Sequence, residues 1–350
     1  MGSVVGIDIG ATGVRAVEVA AQGKSLQVRR AGAVPLAPGA VVGGAIKDVA
    51  AVTTALKLLY RKNRFSTRKV ATVVGADPNV LIRPAQIAHA KSDTDMAALA
   101  LAAANEVLPV DVNSQYVGHH VVGVTTKHNE DGSAVPMAEI ALVSADRAVI
   151  DALVKAVEDA GLIPTSIDAE AFALSRFVNK ASSGPNRIDV IAHIGAHTID
   201  VIGVTDGQPA FQRSMHEFAG DRVTDAITDY LQVPRDDAED IKTGKKQVSD
   251  MDRASVNEVM SVWTSATVNA IRQVVTEAAK SRNLTVGRVW LSGGGAQLGT
   301  LAAHLNAVIG GGAKVTVLDP TTWLAKPEKL VKVTEATKQD FTLALAAGSR

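Results

Sequence analysis

The chain has 350 residues, which is long enough for two domains that each bury a substantial core. A hydrophobic content of 47% and a charged content of 21% are typical of a folded globular protein, and a net charge of zero predicts no general attraction to nucleic acid or to acidic lipid. The lack of cysteine excludes disulfides and thiolate metal sites.

The first predicted element is a β-hairpin over residues 4–19. Its incoming strand is apolar except for Asp8, and an unpaired buried carboxylate is costly, so Asp8 requires a cation, a cluster of donors or water. The turn carries Gly10, Ala11, Thr12 and Gly13. Glycines allow successive N–H groups to converge on an anion, which is typical of a phosphate site. An ordinary hairpin with an acidic turn is the alternative.

The remainder of the first half alternates strands and helices. Predicted strands cover residues 25–34, 69–75, 115–124 and 138–144, and predicted helices cover residues 49–60, 96–108, 145–160 and 171–178. After the predicted strand over residues 69–75 the sequence pattern changes, and this change predicts a small inserted α+β subdomain over about residues 82–144. The break at residues 182–185 predicts a boundary between a first domain, residues 1–184, and a second domain, residues 185–350.

The second half opens on a copy of the first hairpin, about half of the chain later. The segment Ile194-Gly195-Ala196 matches Ile9-Gly10-Ala11, and the apolar positions that follow also correspond. A repeat of this length predicts two related domains that face each other across a cleft. Two such hairpins would hold a polyphosphate from both sides.

A third glycine cluster follows later in the second domain. A predicted strand over residues 289–292 runs into Gly293, Gly294 and Gly295, with an amphipathic helix expected over residues 298–308. A glycine loop between a strand and a helix exposes N–H groups and suits a nucleotide. We also predict a helical subdomain over about residues 217–282, in which residues 255–282 form a long amphipathic helix, and a final helix over 341–347 that returns to the first domain.

The order of these elements resembles the actin-like ATPase superfamily, in which two ribonuclease H-like domains clasp ATP. Within it the chain is similar to the PilM family of type IV pilus assembly proteins over essentially its whole length. The residues that carry the resemblance are 8–18, 105–109 with Tyr116, 168–174, 218–227, 238–242 and 292–296. The resemblance implies an α/β, duplicated two-domain fold with the inserted subdomain in its first domain.

The resemblance and the three glycine loops together imply that ATP and Mg²⁺ bind in the cleft. Asp8 is expected to hold the metal through water, and Arg15 to supply charge to the phosphates. The residues expected to surround the nucleotide are Asp8, Gly10, Ala11, Thr12, Arg15, His193, Gly195, Ala196, His197, Gly220, Asp221, Thr224, Glu239, Lys242, Gly293, Gly294, Gly295 and Gln297. No catalytic residue is assigned.

His193 departs from the family pattern, because the second hairpin of the family usually begins D-I-G. A carboxylate at this position would help to hold magnesium waters or to polarise the attacking water. Imidazole is a poor magnesium ligand. The backbone N–H groups that converge at this turn do not depend on the side chain of His193, so we expect ATP to bind. Because the carboxylate is missing, we expect hydrolysis of ATP to be weak or absent.

The resemblance also implies a scaffold that recruits the N-terminal peptide of a PilN-like inner-membrane protein beside the inserted subdomain, together with other pilus assembly proteins. Val80, Leu81, Ile82 and Arg83 are the candidate peptide site, with a crossing strand covered on both faces as the alternative.

No apolar run is long enough to span a bilayer and no targeting segment is evident, so we expect a cytoplasmic protein, peripheral to the inner membrane through its partner, with no nucleic-acid partner. A sugar-kinase-like phosphotransferase and an FtsA-like filament protein of the same fold are the alternatives.

Overall fold

The computed structural model describes residues 2–22, 25–75, 80–128, 133–178, 184, 186–324 and 338–349. Within these residues the strands are β1 (Val4–Gly10), β2 (Gly13–Gln22), β3 (Ser25–Pro35), β4 (Val41–Val42), β5 (Ala45–Ile46), β6 (Lys69–Val74), β7 (Val80–Ala88), β8 (Gln115–His128), β9 (Ala134–Asp146), β10 (Ile163–Ala169), β11 (Arg187–Ile194), β12 (Ile199–Thr205), β13 (Gln208–Met215), β14 (Thr285–Ser292) and β15 (Lys314–Val317). The helices are α1 (Val49–Asn63), α2 (Asp93–Val107), α3 (Arg147–Asp159), α4 (Glu170–Ser175), α5 (Gly220–Leu231), α6 (Arg235–Lys242), α7 (Asp250–Ser281), α8 (Leu301–Val308) and α9 (Thr342–Gly348).

Two five-stranded sheets share one arrangement of strands. The first has the order β10-β6-β1-β2-β3 and the second the order β13-β12-β11-β14-β15. In each sheet the hairpin strand at the centre pairs antiparallel with its partner on one side and parallel with a later strand on the other. The repeated arrangement confirms the duplicated α/β fold that the two matching hairpins predict.

One buried cluster, here called the central core, takes side chains from both sheets. It includes Val17 of β2, Ile191 of β11 and Ile202 of β12, together with Leu174 of α4 and Leu345 of α9. Because side chains alternate along a strand, the opposite faces of the sheets need separate cover. Helices α1 and α3 cover the first sheet, and helices α5, α7 and α8 cover the second.

The inserted segment forms a separate three-stranded antiparallel sheet in the order β7-β9-β8. Helix α2 packs against this sheet, with Ala100 and Ala104 against Ile140 and Leu142. The Ser92 hydroxyl caps α2 by accepting a hydrogen bond from the Asp95 N–H. The sheet begins at Val80 and ends at Asp146, so it extends slightly beyond residues 82–144 at both ends.

Two helices begin where the sequence prediction did not place them. Residues Gly294–Gln297 form a 3₁₀ turn, and α8 begins only at Leu301, because Gly299 has a φ of +57° that is incompatible with a helix. Helix α7 begins at Asp250 because Ser249 caps it, instead of at residue 255. The predicted boundary at residues 182, 183 and 185 lies outside the described residues.

The C-terminal helix α9 packs directly on β1 at a pair of glycines. A Cβ added to Gly6 would lie 1.9 Å from the Ala344 carbonyl oxygen and 2.5 Å from the Gly348 nitrogen. Helix and strand therefore approach each other as closely as backbones can, and no larger residue fits at Gly6.

We expect Gly6→Ala to lower the free energy of unfolding by about 1–3 kcal/mol or more, because helix α9 must move away from β1. Urea denaturation would measure the loss. Gly118→Ala on β8 is the matched control, since a Cβ there meets nothing within 4 Å. Equal stabilities for the two variants would show that the contact between α9 and β1 is unimportant.

Candidate functional site

A cleft of about 1980 Å³ separates the two hairpin turns. Its walls are the turns after β1 and β11, the glycine loop after β14, and the first residues of α4, α5 and α6. This is larger than the several hundred Å³ that enclose most small ligands. The three glycine segments that the sequence singles out thus face one another across a single opening.

The first hairpin brings a carboxylate and a guanidinium together at the cleft. Asp8 and Arg15 are directly opposite in the register of β1 and β2, and Arg15 Nη1 lies 3.7 Å from Asp8 Oδ2. The second guanidinium nitrogen donates to the Thr12 hydroxyl at 3.1 Å. Burial raises the pKa of Asp8, and the Arg15 charge opposes that rise. Arg15 is therefore placed to bind an anion at this turn while it balances Asp8.

The second hairpin is fastened to the start of α5 by backbone hydrogen bonds. The Gly220 N–H donates to the Gly195 carbonyl at 3.0 Å, and the Asp221 N–H donates to the Ala196 carbonyl at 2.8 Å. His197 Nδ1 contacts the Asp221 carboxylate. The position of this turn therefore depends on the helical wall beside it.

Polar side chains of α5 and α6 form that wall. Arg235 Nη2 lies 2.9 Å from Asp221 Oδ1, and Lys242 Nζ lies 2.6 Å from Glu239 Oε2. Hydrogen bonds to His197 and the charges of His197, Arg235 and Lys242 lower the pKa of Asp221 against the opposing effect of burial. The wall offers both donors and acceptors to the hydroxyl groups and nitrogens of a ligand.

The glycine loop lies against the second hairpin. Gly293 has a φ of +83°, and a Cβ there would lie 2.5 Å from the Ile194 carbonyl oxygen. A Cβ at Gly294 would meet only Asp340 Oδ1, at 3.3 Å. Gly293 is thus required by the fold, whereas Gly294 presents bare backbone to the cleft.

Seventeen of the predicted residues line the cleft. They are Asp8, Gly10, Ala11, Thr12, Arg15, His193, Gly195, Ala196, His197, Gly220, Asp221, Glu239, Lys242, Gly293, Gly294, Gly295 and Gln297. Thr224 is 1% exposed and lies behind the wall, where its hydroxyl donates to Glu239 Oε2 at 2.7 Å. Thr224 therefore holds the Glu239 carboxylate in place from behind the wall.

Sequence reasoning missed several polar residues of the cleft, and Glu170 is the most consequential. Glu170 begins α4 and is 5% exposed, and its Oε1 has no hydrogen-bond partner among the described residues. Burial and the charges of Asp200 and Asp8 raise its pKa well above the usual range. A carboxylate at the head of an apolar helix was the signal that could have identified it. Asp340, which precedes α9, and Arg235 also line the cleft.

His193 is uncharged at neutral pH. Its Nδ1 lies 3.1 Å from the Ser292 hydroxyl, and burial together with the Arg15 charge lowers its pKa to about 4. The imidazole therefore neither brings negative charge to the cleft nor carries a positive charge that would bind phosphate.

The described residues contain neither a metal-binding cluster of side chains nor a membrane-spanning helix. No group of three or more histidine, aspartate or glutamate side chains there is arranged to hold a metal ion. No helix in the same part of the chain is long and apolar enough to cross a membrane.

Comparison with known proteins identifies relatives of the whole chain. The sequence model of a family described as type IV pilus assembly protein PilM matches residues 6–348. A solved structure titled as a PilM-PilN type IV pilus biogenesis complex superposes with a TM-score of 0.80 at 20% identity, covering 99% of this chain and 97% of that one. The ethanolamine utilization protein EutJ from Carboxydothermus hydrogenoformans gives a TM-score of 0.57 at 15% identity, covering 99% and 90%. MreB 5 of Spiroplasma citri, bound to AMPPNP, gives 0.51 at 14% identity, covering 95% and 96%. These likenesses confirm the predicted fold.

The neutral state of His193 makes stability depend on pH. In the unfolded chain this imidazole takes up a proton near pH 6.5, whereas in the folded protein it does so only near pH 4. Lowering the pH from 6.5 towards 4 therefore favours the unfolded chain, by about 1–2 kcal/mol at pH 5. We expect His193→Asn to lose less stability than the wild type between pH 7.5 and pH 5, as measured by urea denaturation. The same loss in both proteins would contradict the neutral state.

Proposed function

The chain belongs to the type IV pilus assembly protein PilM family, and on that premise we propose that it is an ATP-binding scaffold of a type IV pilus machine. The proposal rests on the convergence of two hairpin turns and a glycine loop on one cleft. Family membership over residues 6–348 favours a scaffold over a sugar-kinase-like phosphotransferase or an FtsA-like filament protein of the same fold. Its expected location is the cytoplasmic side of the inner membrane, where a membrane partner would recruit it.

The cleft suits ATP because each part of the nucleotide has a matching wall. Backbone N–H groups at the turns after β1 and β11, with Thr12 and Arg15, would bind the phosphates. Glu239 and Lys242, held at 2.6 Å from each other, would bind the ribose, and the bare backbone at Gly294 would lie along the base. A solved structure of the same fold, MreB 5, is titled as bound to the ATP analogue AMPPNP, which supports the proposal.

We propose that Mg²⁺ binds beside the phosphates, at the end of the cleft that contains Asp8 and Glu170. Asp8 is half-buried, and Glu170 is a buried carboxylate whose Oε1 has no hydrogen-bond partner among the described residues. The charge of Asp8 raises the pKa of Glu170, so a cation nearby would stabilise the ionised form of Glu170. Both would hold the metal through its water molecules, since no three side chains of the described residues form a direct ligand set. When bound, the metal would neutralise the phosphate charge. A neutral imidazole at His193 supplies no carboxylate for the attacking water, so we propose that any hydrolysis is slow.

The partner is proposed to be the N-terminal peptide of a PilN-like inner-membrane protein. The neighbour titled as a PilM-PilN complex supports this choice. In the part of the chain that the structure describes, β7 is an edge strand of the inserted sheet, and only β9 pairs with it there, so its other side could accept a peptide strand. Val80 is 5% exposed and Ile82 packs against the central core, while Arg83 is exposed. Leu81 and Arg83 are therefore the side chains of this segment that are best placed to contact a peptide.

We expect Gly294→Val to weaken ATP binding about 100-fold or more, because the side chain would occupy the path of the nucleotide. The fold should survive, since a Cβ there meets only the flexible Asp340 carboxylate. Titration calorimetry with ATP and Mg²⁺ would measure the affinity. Gly118→Val on β8, in open space, is the control, and undiminished binding by Gly294→Val would exclude the proposed position of the nucleotide.

We expect Arg83→Glu to weaken binding of the partner's N-terminal peptide about tenfold, because it reverses a charge beside the edge of β7. Fluorescence anisotropy with a labelled peptide would measure this, while ATP affinity and melting temperature stay unchanged. Arg253→Glu on α7 is the matched control, since Arg253 is an exposed arginine of the second domain. If both variants bind the peptide like the wild type, the peptide site lies elsewhere.

A further inference from the structure

One stretch of the first domain carries positive charge without any negative charge. Between Asp48 and Asp77 the sequence contains no aspartate or glutamate, and it contains six lysines and arginines. The whole chain has a net charge of zero, so its composition does not reveal this local excess. One of the six, Lys62, lines the cleft. The other five are exposed and are here called the basic corner: Lys57, Arg61, Arg64, Arg68 and Lys69.

Helix α1 ends within this stretch, and its dipole accounts for only part of the charge. A helix C-terminus favours cations in its last turn, where Arg61 and Lys62 lie. Arg64 is the C-cap residue and has a left-handed backbone, with a φ of +50°. Arg68 and Lys69 lie beyond the cap, so the helix dipole does not explain them.

The basic corner is fixed to one end of the first sheet. The Ser66 N–H donates to the Glu18 carboxylate of β2 at 3.0 Å. Arg68 donates to the Gly161 carbonyl, after α3, at 3.2 Å. Lys69 is the first residue of β6. These contacts hold the cations at the end of the sheet where β6 begins, which is opposite to the end that faces the cleft.

Neighbouring carboxylates leave most of this charge unbalanced. Glu18 is fully buried and lies 3.2 Å from Arg30, so its charge is balanced within the fold. Asp159 pairs with Lys155 at 2.9 Å, and Glu158, beside it at the end of α3, contributes one exposed negative charge. In the part of the chain that the structure describes, none of the five cations of the basic corner forms an ion pair.

The side chains around the basic corner favour a membrane surface over nucleic acid. Ile163, which pairs with Lys69 in the register of β10 and β6, is 55% exposed, so an apolar side chain lies next to the cations. Phe65 is half-buried and packs on Tyr60, with ring centroids 4.9 Å apart. Single-stranded nucleic acid binds where aromatic rings are free to stack on bases, whereas cations beside an exposed aliphatic side chain suit an anionic bilayer.

The basic corner also lies within reach of the candidate peptide site. Strand β6 begins at Lys69 and ends at Val74, and Val74 belongs to the same buried cluster as Val80, the first residue of β7. The six residues of β6 span about 20 Å. A membrane-anchored peptide on β7 and a bilayer at the basic corner would therefore be two attachments of one molecule. Two weak attachments together give stable membrane binding.

We propose that the basic corner binds the anionic headgroups of a phospholipid bilayer directly. The choice of a bilayer rests on the proposed location at the inner membrane, because a cytoplasmic leaflet is anionic. Attraction between charges is screened over about 10 Å at moderate salt, so the exposed side chains nearest the surface supply the binding. Val73 and Val74, at the other end of β6, line the cleft. Contact through the basic corner would therefore turn the cleft away from the bilayer.

The experiment is flotation of the full chain with phosphatidylcholine vesicles, with and without phosphatidylglycerol, in the absence of any partner. We expect the protein to float only with the vesicles that contain phosphatidylglycerol, and less so at high salt. Arg61→Gln combined with Arg64→Asn should weaken this partitioning about 25-fold, since each cation beside an anionic surface contributes about fivefold. Asparagine is used at position 64 because it tolerates a left-handed backbone.

Arg253→Gln combined with Arg272→Gln is the matched control, because it removes the same charge from two exposed arginines of α7. We expect this control to float like the wild type. Thermal melting of both double variants should give the wild-type melting temperature, since none of the four side chains is buried.

Four results would overturn the inference. Equal flotation with both kinds of vesicle, or flotation with neither, would exclude an anionic bilayer. Equal partitioning of the wild type and the Arg61→Gln/Arg64→Asn variant would place the binding elsewhere, and an equal loss in the control would show a general effect of net charge. A gel shift of a single-stranded oligonucleotide that the same variant abolishes, without flotation, would assign the basic corner to nucleic acid. All four leave the binding of ATP intact, whereas a wild type that floats but binds no ATP would overturn the proposed function alone.

Discussion

The central core is the interaction on which the rest of the structure depends. One face of each sheet packs into it, so Val17 of β2 and Ile202 of β12 belong to the same buried cluster as α4 and α9. Since side chains alternate along a strand, the charged residues on these faces must emerge where the core ends. Asp8, Arg15, His193 and Asp200 all lie on these faces, at the hairpin ends of their strands. The cleft is therefore the polar end of the core.

Close backbone contacts keep this arrangement rigid. Helix α9 contacts β1 at Gly6, so the last described helix of the chain is anchored on the central strand of the first sheet. Arg176 also connects this helix to the first sheet. Its guanidinium donates to Asp168 of β10 at 2.6 Å and to the Ala346 carbonyl of α9 at 2.7 Å. In the second sheet, Gly293 holds the glycine loop against Ile194. These contacts position the walls of the cleft from both sides, so a ligand between them meets preorganised backbone.

The cleft concentrates more negative than positive charge at its inner end. Glu170 lies there, its pKa is raised by the charges of Asp200 and Asp8, and Arg15 lies beside Asp8. Removing carboxylates from water without full compensation lowers stability, and a fold tolerates this where a ligand restores the balance. The neutral imidazole of His193 fits this environment, because a second cation would compete with the metal that the proposed function requires.

The sequence by itself determined the local parts of this protein. The alternation of apolar residues and the glycine turns at Gly10 and Gly195 were sufficient to predict both hairpins, because a hairpin depends on residues close together in the chain. Their repetition predicted the duplicated fold, whereas the helix predicted from residue 298 begins only at Leu301, because the positive φ of Gly299 delays it. Seventeen of the residues that these motifs predicted line the cleft.

Only the tertiary structure decided which distant side chains meet. Thr224 matched a motif, yet the packing of α5 against α6 places it behind the wall, where it supports Glu239. Glu170 and Asp200 drew no attention as site residues, because each reads locally as one polar residue in an apolar segment. Glu170 meets the charges of both Asp8 and Asp200 only when two sheets and α4 pack on a common core. Local pattern fixes which face of a strand a side chain occupies, whereas the charges it meets depend on contacts between elements far apart in the chain.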